Sequence, residues 1–146
     1  MKIEIQIREG CREPRVVIYT ERMTEEVNAL LSRLEAGREK PLVGFSEGTA
    51  TVLRPEELLR VYVEDGKVLA HTEQGVFGLK GPLYEWEQRL DPHAFVRVSQ
   101  SEIIHIKKVK TFDLSLSGTI LVRLTDGTVT YASRRYVARI KSLLGL

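Results

Sequence analysis

The chain has very little of the residue types that build covalent frameworks and metal centres. It contains one cysteine, Cys11, and three histidines among 146 residues. A single thiol excludes an intrachain disulfide framework and a zinc site built from several thiolates. The histidines, His71, His93 and His105, show none of the spacings of a helical metal motif. We therefore predict neither a metal nor a cofactor.

Catalytic and phosphate-binding motifs are missing as well. There is no G-x-S-x-G nucleophile elbow and no glycine-rich phosphate loop. Ser99, Ser101 and His105 could supply a nucleophile and a base, but no acidic residue that would orient the histidine is evident. We predict that the chain is not an enzyme.

Long apolar runs are also absent. The first seven residues, MKIEIQI, alternate apolar and polar side chains, whereas a signal peptide or a membrane span needs an uninterrupted apolar stretch. We expect no targeting segment and a cytoplasmic location.

Charge is present in both signs but is unevenly distributed. Residues 1–94 contain 13 Lys and Arg against 17 Asp and Glu, whereas residues 95–146 contain 9 against 3. A basic region of this kind is typical of a surface that binds phosphate, although lysines scattered for solubility would give a similar count.

Residues 1–40 are predicted to form a separate N-terminal domain. Ile3, Ile5 and Ile7 alternate with polar residues, which predicts a strand, and residues 16–20 would be its hairpin partner. A helix should follow Thr24 as N-cap and stop at Gly37, with its apolar stripe formed by Val27, Leu30, Leu31 and Leu34. The boundary is predicted at Arg38-Glu39-Lys40-Pro41. We expect this hairpin and helix to pack on the second domain or on a twin subunit.

Residues 41–146 are predicted to be mainly β. Turn signals separate short runs rich in β-branched and aromatic residues. The predicted strands are residues 42–45, 49–53, 59–63, 68–72, 76–79, 95–98, 102–106, 109–116, 120–125 and 128–132. One helix is expected after Pro82, with Trp86 in the core, and a last helix from Ser133 onward should dock on the sheets.

Two polar stretches interrupt the second domain. Ser99-Gln100-Ser101 forms a corner between two predicted strands, and Ser133-Arg134-Arg135-Tyr136 opens the last helix. A helix N-terminus is partly positive and favours acidic residues, so two arginines there suggest an anionic partner. The structural alternatives are an ordinary turn and two solvated arginines paired with nearby carboxylates.

These stretches belong to an ordered set that matches a known family. The set Phe95-x-Arg97-x-x-x-Ser101-x-Ile103-Ile104, then Asp126-Gly127-Thr128, then Ser133-Arg134-Arg135-Tyr136 resembles the LytTR DNA-binding domain of bacterial transcription regulators. The likeness covers the chain from about Leu42 to its last residue. The family usually has His-Arg or His-Asn in place of Ser99-Gln100, and Asn in place of His105.

The resemblance implies a fold and a function. The fold would be an elongated, antiparallel, multi-sheet β structure with peripheral helices, which presents loops rather than a recognition helix to successive DNA major grooves. The function would be sequence-specific regulation of transcription on double-stranded DNA with repeated half-sites. The implied base contacts are Gln100, Arg135 and Lys67, the last in the turn Asp65-Gly66-Lys67. The implied DNA backbone contacts are Arg97, Ser99, Ser101, Lys107, Lys108, Ser133 and Arg134.

Partners follow from the N-terminal domain and from the resemblance. The unpaired apolar stripe of the predicted helix suggests a homodimer, because linked binding strengthens attachment to repeated half-sites. The resemblance also implies that a cognate membrane protein could hold a regulator of this kind. The alternative function is a protein-interaction module whose N-terminal segment binds a regulatory partner, with DNA binding secondary or absent.

Overall fold

The computed structural model describes residues 1–35, 41–115 and 117–146. The chain forms two compact units, Met1–Glu39 and Lys40–Leu146. The predicted helix stop at Gly37 and the boundary residues 38–40 lie outside the described residues, so the domain boundary stays a prediction. No helix in the described part of the chain is long and apolar enough to cross a membrane.

The first unit contains one helix, α1 (Glu25–Glu35). Thr24 caps it as predicted, since the Thr24 hydroxyl accepts a hydrogen bond from the main-chain N–H of Val27 at 3.2 Å. Glu25 and Glu26 occupy the first turn, where a carboxylate is favoured by the positive end of the helix. No residue of α1 is buried, so its apolar stripe remains partly exposed.

The predicted N-terminal hairpin is wrong, because residues 1–24 contain no strand. Ile3, Ile5 and Ile7 are 79%, 84% and 97% exposed, and Val16 and Tyr19 are also exposed. An alternating pattern specifies a strand only where one face is buried against other side chains. Here neither run buries its apolar face, so nothing stabilises the pairing of the two.

The second unit has ten strands among its described residues, which confirms the predicted mainly β fold. They are β1 (Leu42–Ser46), β2 (Thr49–Leu53), β3 (Leu58–Glu64), β4 (Lys67–Thr72), β5 (Gly75–Leu79), β6 (Phe95–Ser99), β7 (Glu102–His105), β8 (Val109–Asp113), β9 (Ile120–Leu124) and β10 (Val129–Ala132). All their pairings are antiparallel. A seven-stranded sheet has the order β2-β1-β5-β4-β3-β7-β6, and a three-stranded sheet has the order β10-β9-β8.

Ten strand ends differ from the prediction, nine of them by one residue and the end of β8 by three. Ile106 belongs to a one-turn 3-10 helix, Ile106–Lys108, and not to β7. Strand β8 ends at Asp113, where the side chain accepts hydrogen bonds from Ser115 and begins a local turn. Leu116, the predicted last residue of that strand, lies outside the described residues.

One face of the seven-stranded sheet packs against α2 (Leu83–Arg89). Trp86 is 3% exposed, and its indole N–H donates to the Lys80 carbonyl at 2.9 Å. This satisfies the polar end of a large apolar side chain, so the predicted core role of Trp86 is confirmed. The buried members of this core are Leu42, Leu53, Leu58, Val61, Ala70, Leu83, Trp86, Leu90, Phe95 and Ile103.

A second core lies on the opposite face, under the three-stranded sheet and α3 (Arg134–Leu143). Side chains alternate between the two faces of a strand, so Ile103 joins the first core and Ile104 joins the second. Ile140, 1% exposed, anchors α3 in this core, as its helical spacing predicts. The buried members are Leu59, Val96, Val98, Ile104, Ile120, Val122, Leu124, Ala132 and Ile140. This packing fixes the first turn of α3 beside β6.

Candidate nucleic-acid interface

The chain reverses direction between β6 and β7 at the corner Ser99-Gln100-Ser101. The pairing register shifts between Arg97 and Ser99, and the Ser99 hydroxyl accepts a hydrogen bond from the Ser101 N–H at 3.2 Å. The Ser99 hydroxyl thus stabilises the turn. The side chain of Gln100 is exposed and makes no hydrogen bond to the described residues. Its amide can therefore bind an external donor and acceptor.

Arg97 holds the corner in place. Its Nε donates to the Ser99 carbonyl at 2.8 Å and its Nη2 to the Gln100 carbonyl at 2.5 Å. Its Nη1 forms an ion pair with the Glu87 carboxylate on α2 at 2.6 Å. All three guanidinium nitrogens are thus engaged, so a contact from Arg97 to the DNA backbone would have to use the remaining N–H groups. The direct effect of Arg97 is to fix the main chain that carries Gln100.

The start of α3 lies beside this corner. The Ser133 N–H donates to the Val98 carbonyl at 2.8 Å, which ties the residue before the helix to β6. Ser133 occupies the N-cap position, but its hydroxyl makes no capping hydrogen bond. The Tyr136 N–H donates to the Ser133 carbonyl at 2.9 Å, so the groups available to an anion are the N–H groups of Arg134 and Arg135 and the Ser133 hydroxyl.

Arg134 and Arg135 are both exposed, and neither forms an ion pair with the described residues. Arg134 lies against Gly118, where an added Cβ would approach its Nε to 2.7 Å, so the glycine makes room for the guanidinium. The guanidinium carbon of Arg135 is 5.7 Å from the centre of the Tyr136 ring, within the range of a cation–π contact. The alternative of arginines neutralised by nearby carboxylates is therefore not what the structure has.

The β3–β4 turn reaches the same place from a third direction. Asp65 and Gly66 both have positive φ, 51° and 73°, which is the type I′ geometry that matches the twist of a hairpin. The Val63 N–H donates to the Ser101 carbonyl at 2.8 Å, so this hairpin extends past the corner. Lys67, the first residue of β4, is exposed, and its ammonium group forms no ion pair with the described residues.

We call this end of the second unit the Gln100 end; it comprises Arg97, the corner 99–101, the helix start 133–135 and the turn 65–67. The structure brings together there eight of the ten predicted contact residues, which are Lys67, Arg97, Ser99, Gln100, Ser101, Ser133, Arg134 and Arg135. Whether each of them contacts DNA stays a prediction.

Lys107 and Lys108 lie beyond the other end of β7, in the region that we call the Lys108 end. The four residues of β7 separate them from the corner, a distance of about 13 Å at the usual rise of a strand. The Lys108 ammonium is 3.2 Å from the Glu73 carboxylate, whereas Lys107 is exposed and has no ion pair among the described residues. The structure therefore does not bring these two lysines to the other eight residues.

Sequence reasoning missed a buried polar network behind the corner. Glu102, 7% exposed, accepts a hydrogen bond from the Thr130 hydroxyl at 2.5 Å and pairs with Nη1 of Arg60 at 3.1 Å. Arg60 also stacks on the Tyr62 ring at 4.0 Å. One signal could have revealed the network: an ionised residue inside the otherwise buried strand EIIH requires a partner.

The network continues from Arg60 to the three-stranded sheet. Arg60 Nε donates to Nδ1 of His71 at 3.2 Å, so Nδ1 is the acceptor and Nε2 holds the hydrogen. His71 Nε2 lies 3.2 Å from the Asp126 carboxylate in the β9–β10 turn. Burial alone would raise the pKa of Asp126, but hydrogen bonds from the Thr128 N–H and hydroxyl, together with His71, outweigh it and lower the pKa.

His105 is buried at the Lys108 end. Its Nδ1 is 2.9 Å from the Leu58 carbonyl, and its ring stacks on Phe95 with centroids 4.5 Å apart. Burial lowers the pKa of His105, and the positive charges of Lys107 and Lys108 lower it further, although the hydrogen bond to Leu58 opposes them. The ring is therefore favoured in its neutral form.

Comparison with known proteins identifies relatives over the same region. The family described as LytTr DNA-binding domain matches residues 48–145. A solved structure described as the LytTr DNA-binding domain of a putative methyl-accepting/DNA response regulator from Bacillus cereus superposes with a TM-score of 0.69. The match covers 73% of this chain and 99% of that one at 20% sequence identity, so it supports the fold alone.

Curated relatives match the whole chain. Uncharacterized HTH-type transcriptional regulators of Staphylococcus aureus, from strains NCTC 8325, COL and N315, are each 29% identical over 147 residues. The alignments cover 100% of this chain and 99% of each relative. In this chain the three α-helices of the described residues are separated by strands, so no two of them follow each other directly as a helical pair.

Proposed function

Because the chain belongs to the LytTr DNA-binding domain family, we propose that it is a transcription regulator that binds double-stranded DNA through its Gln100 end. The observation that supports this most is the convergence of three segments that are distant in sequence. Each exposes a polar side chain that makes no hydrogen bond or ion pair with the described residues, namely Gln100, Arg135 and Lys67.

Gln100 and Arg135 are proposed to read bases. The carboxamide of Gln100 has a donor and an acceptor in the arrangement that adenine presents in the major groove, and the fork of Arg135 matches the two acceptors of guanine. Lys67, on the neighbouring turn, would contact a third base. Loops at a sheet edge would thus read sequence, without a helix inserted into the groove.

The remaining residues of the Gln100 end are proposed to bind the DNA backbone. The hydroxyls of Ser99, Ser101 and Ser133 can donate to phosphate oxygens, and Arg134 adds a positive charge beside the first turn of α3. Arg97 would act on the same phosphates only through the N–H groups that the corner leaves unused. Such contacts fix the position of the protein on the duplex but do not select its sequence.

Lys107 is proposed to contact phosphate further along the same duplex. One turn of B-DNA is about 34 Å long, whereas the two ends are about 13 Å apart. A duplex bound at the Gln100 end can therefore also reach the Lys108 end. Lys108 should contribute less there, because Glu73 already neutralises its ammonium.

We propose a homodimer formed through α1. The supporting observation is that Val27, Leu30 and Leu31 are only half-buried and Leu34 is 43% exposed. Two linked subunits on repeated half-sites would bind more tightly than either alone. Replacing Leu34 by Glu should lower the dimer fraction in sedimentation, whereas Ala29→Glu on the opposite side of α1 should not. Equal dimer fractions in both variants would contradict this assignment.

A partner protein is the second candidate, favoured by the exposed apolar side chains of residues 1–24. In that case the N-terminal segment would bind a regulatory protein, including a membrane protein, and DNA binding would be secondary.

The deciding experiment is selection of duplexes from a random pool by the purified full chain, followed by an electrophoretic shift. We expect a recurring sequence, bound more tightly than random duplex, with an affinity that falls steeply as salt rises. Failure to enrich any sequence, together with binding that is equal on every duplex, would contradict sequence-specific regulation and leave the partner-binding function as the better account.

A further inference from the structure

Two hydrogen bonds join the corner to the segment that leads into α3. The first is the main-chain bond from Ser133 to Val98, at 2.8 Å. The second is the side-chain bond from Thr130 on β10 to Glu102 on β7, at 2.5 Å. Val98 precedes Gln100 by two residues and Glu102 follows it by two, so the bonds lie on both sides of the corner.

The second bond depends on a buried carboxylate, which is costly to keep. Glu102 is 7% exposed, and burying an ionised carboxylate requires compensation by partners. Arg60 supplies the opposite charge at 3.1 Å, and Arg60 is itself held by His71 and by the ring of Tyr62. Replacement of both partners of a buried ion pair by well-packed apolar residues is often neutral or stabilising, so stability alone does not account for this pair.

We propose that Glu102 is a positioning residue for DNA reading, which sets the distance between Gln100 and Arg135 by tying β7 to β10. The inference rests on the proposed function. A base contact is lost when donor and acceptor separate by about 1 Å beyond hydrogen-bond range, because the interaction is short and directional. Attraction between an arginine and a phosphate falls only gradually with distance. Loss of the hydrogen bond between Thr130 and Glu102 should therefore weaken sequence preference more than general DNA binding.

The sharpest variant is Thr130→Val. Valine keeps the β-branched shape and removes only the hydroxyl that donates to Glu102, while the Glu102–Arg60 pair stays intact. Thr130→Ser restores a hydroxyl and is the conservative rescue. Thr111→Val on β8 is the matched control, since Thr111 is exposed and its hydroxyl has no partner among the described residues.

The measured quantity is the ratio of the dissociation constant on random duplex to that on a duplex selected by the wild-type full chain. In Thr130→Val the ratio should fall about tenfold, the size expected for losing one base contact, with random-duplex affinity and salt slope unchanged. Thr130→Ser and Thr111→Val should stay within about twofold of wild type. The ratio does not depend on the fraction of active protein, so partial unfolding cannot imitate this result.

A second variant separates geometry from charge. Glu102→Gln retains an oxygen that accepts from Arg60 and an amide that can hydrogen-bond Thr130. The ratio of dissociation constants on random and selected duplex should therefore stay close to that of the wild type. Specificity lost in Glu102→Gln but retained in Thr130→Val would overturn the proposal, as would equal weakening of both duplexes in Thr130→Val. If wild type selects no sequence, the proposed function fails and this inference fails with it. If wild type is specific and Thr130→Val is equally so, only this inference fails.

Discussion

The two ends of the seven-stranded sheet are both rich in polar side chains, but they differ in how many of those side chains lack a hydrogen bond or an ion pair with the described residues. At the Gln100 end, the amide of Gln100 and the guanidinium groups of Arg134 and Arg135 make no hydrogen bond or ion pair with the described residues. At the Lys108 end, Lys108 pairs with Glu73, whereas Lys107 is exposed and has no ion pair among the described residues. A charge that is already neutralised has less to gain from DNA, so pairing is a better guide to the interface than the number of basic residues.

The largest effect should come from Arg135→Ala. If Arg135 donates two hydrogen bonds to a guanine, its loss should cost about 1–3 kcal/mol on the selected duplex and relax the preference at one base pair. Competition shifts with duplexes mutated at each position would measure both effects. Arg139→Ala, one turn later on the exposed side of α3, is the matched control and should leave the preference intact.

Gln100→Ala should have the next largest effect, at a different base pair. An uncharged amide contributes hydrogen bonds but releases almost no counterions, so affinity should fall on the selected duplex with an unchanged dependence on salt. The same competition shifts, repeated at several salt concentrations, measure this. A base preference that survives both Gln100→Ala and Arg135→Ala would show that the Gln100 end is not the reading surface.

The sequence predicts the strands of the second unit well, because their apolar residues alternate and their turns contain Gly. Through the family resemblance, it also predicts that the corner and the start of α3 contact DNA. It cannot predict that Lys108 is neutralised, since Glu73 is 35 residues away and only the fold brings the two together. For the same reason the sequence does not predict the hydrogen bond between Thr130 and Glu102, which are 28 residues apart. The alternating isoleucines near the N-terminus have the pattern of a strand, but they are exposed and no strand forms there.

A smaller effect, on stability and not on reading, is expected at the Lys108 end from His105. Burial lowers the pKa of His105 in the folded protein, whereas in the unfolded chain this histidine has its ordinary pKa of about 6.5. Once the pH falls through that value, the unfolded chain binds more protons than the folded protein. The free energy of unfolding should therefore be fully retained above about pH 7 and decrease as the pH falls toward the lower folded pKa.

His105→Asn tests this, since asparagine can still donate to the Leu58 carbonyl but does not titrate. Urea unfolding at about pH 7.5 and about pH 5.5 should show a smaller loss of stability in His105→Asn than in wild type. Base preference should be the same in both proteins. An identical pH dependence of unfolding would mean that His105 does not differ in protonation between the folded and unfolded states.

The smallest effect should come from Lys108→Ala, and its comparison with Arg134→Ala is the most direct test of the difference between the two ends. Each variant removes one positive charge from the basic part of the chain. Arg134 has no acidic partner among the described residues, so its loss should reduce the slope of log affinity against log salt by about one unit, equally on selected and random duplex. Lys108 already has Glu73 at 3.2 Å, and an ammonium paired in this way displaces few counterions from DNA. Its removal should change the slope by well under one unit and affinity by less than about twofold. Equal slopes for the two variants would mean that the Glu73 pair opens on binding and that both ends of the sheet contact phosphate alike.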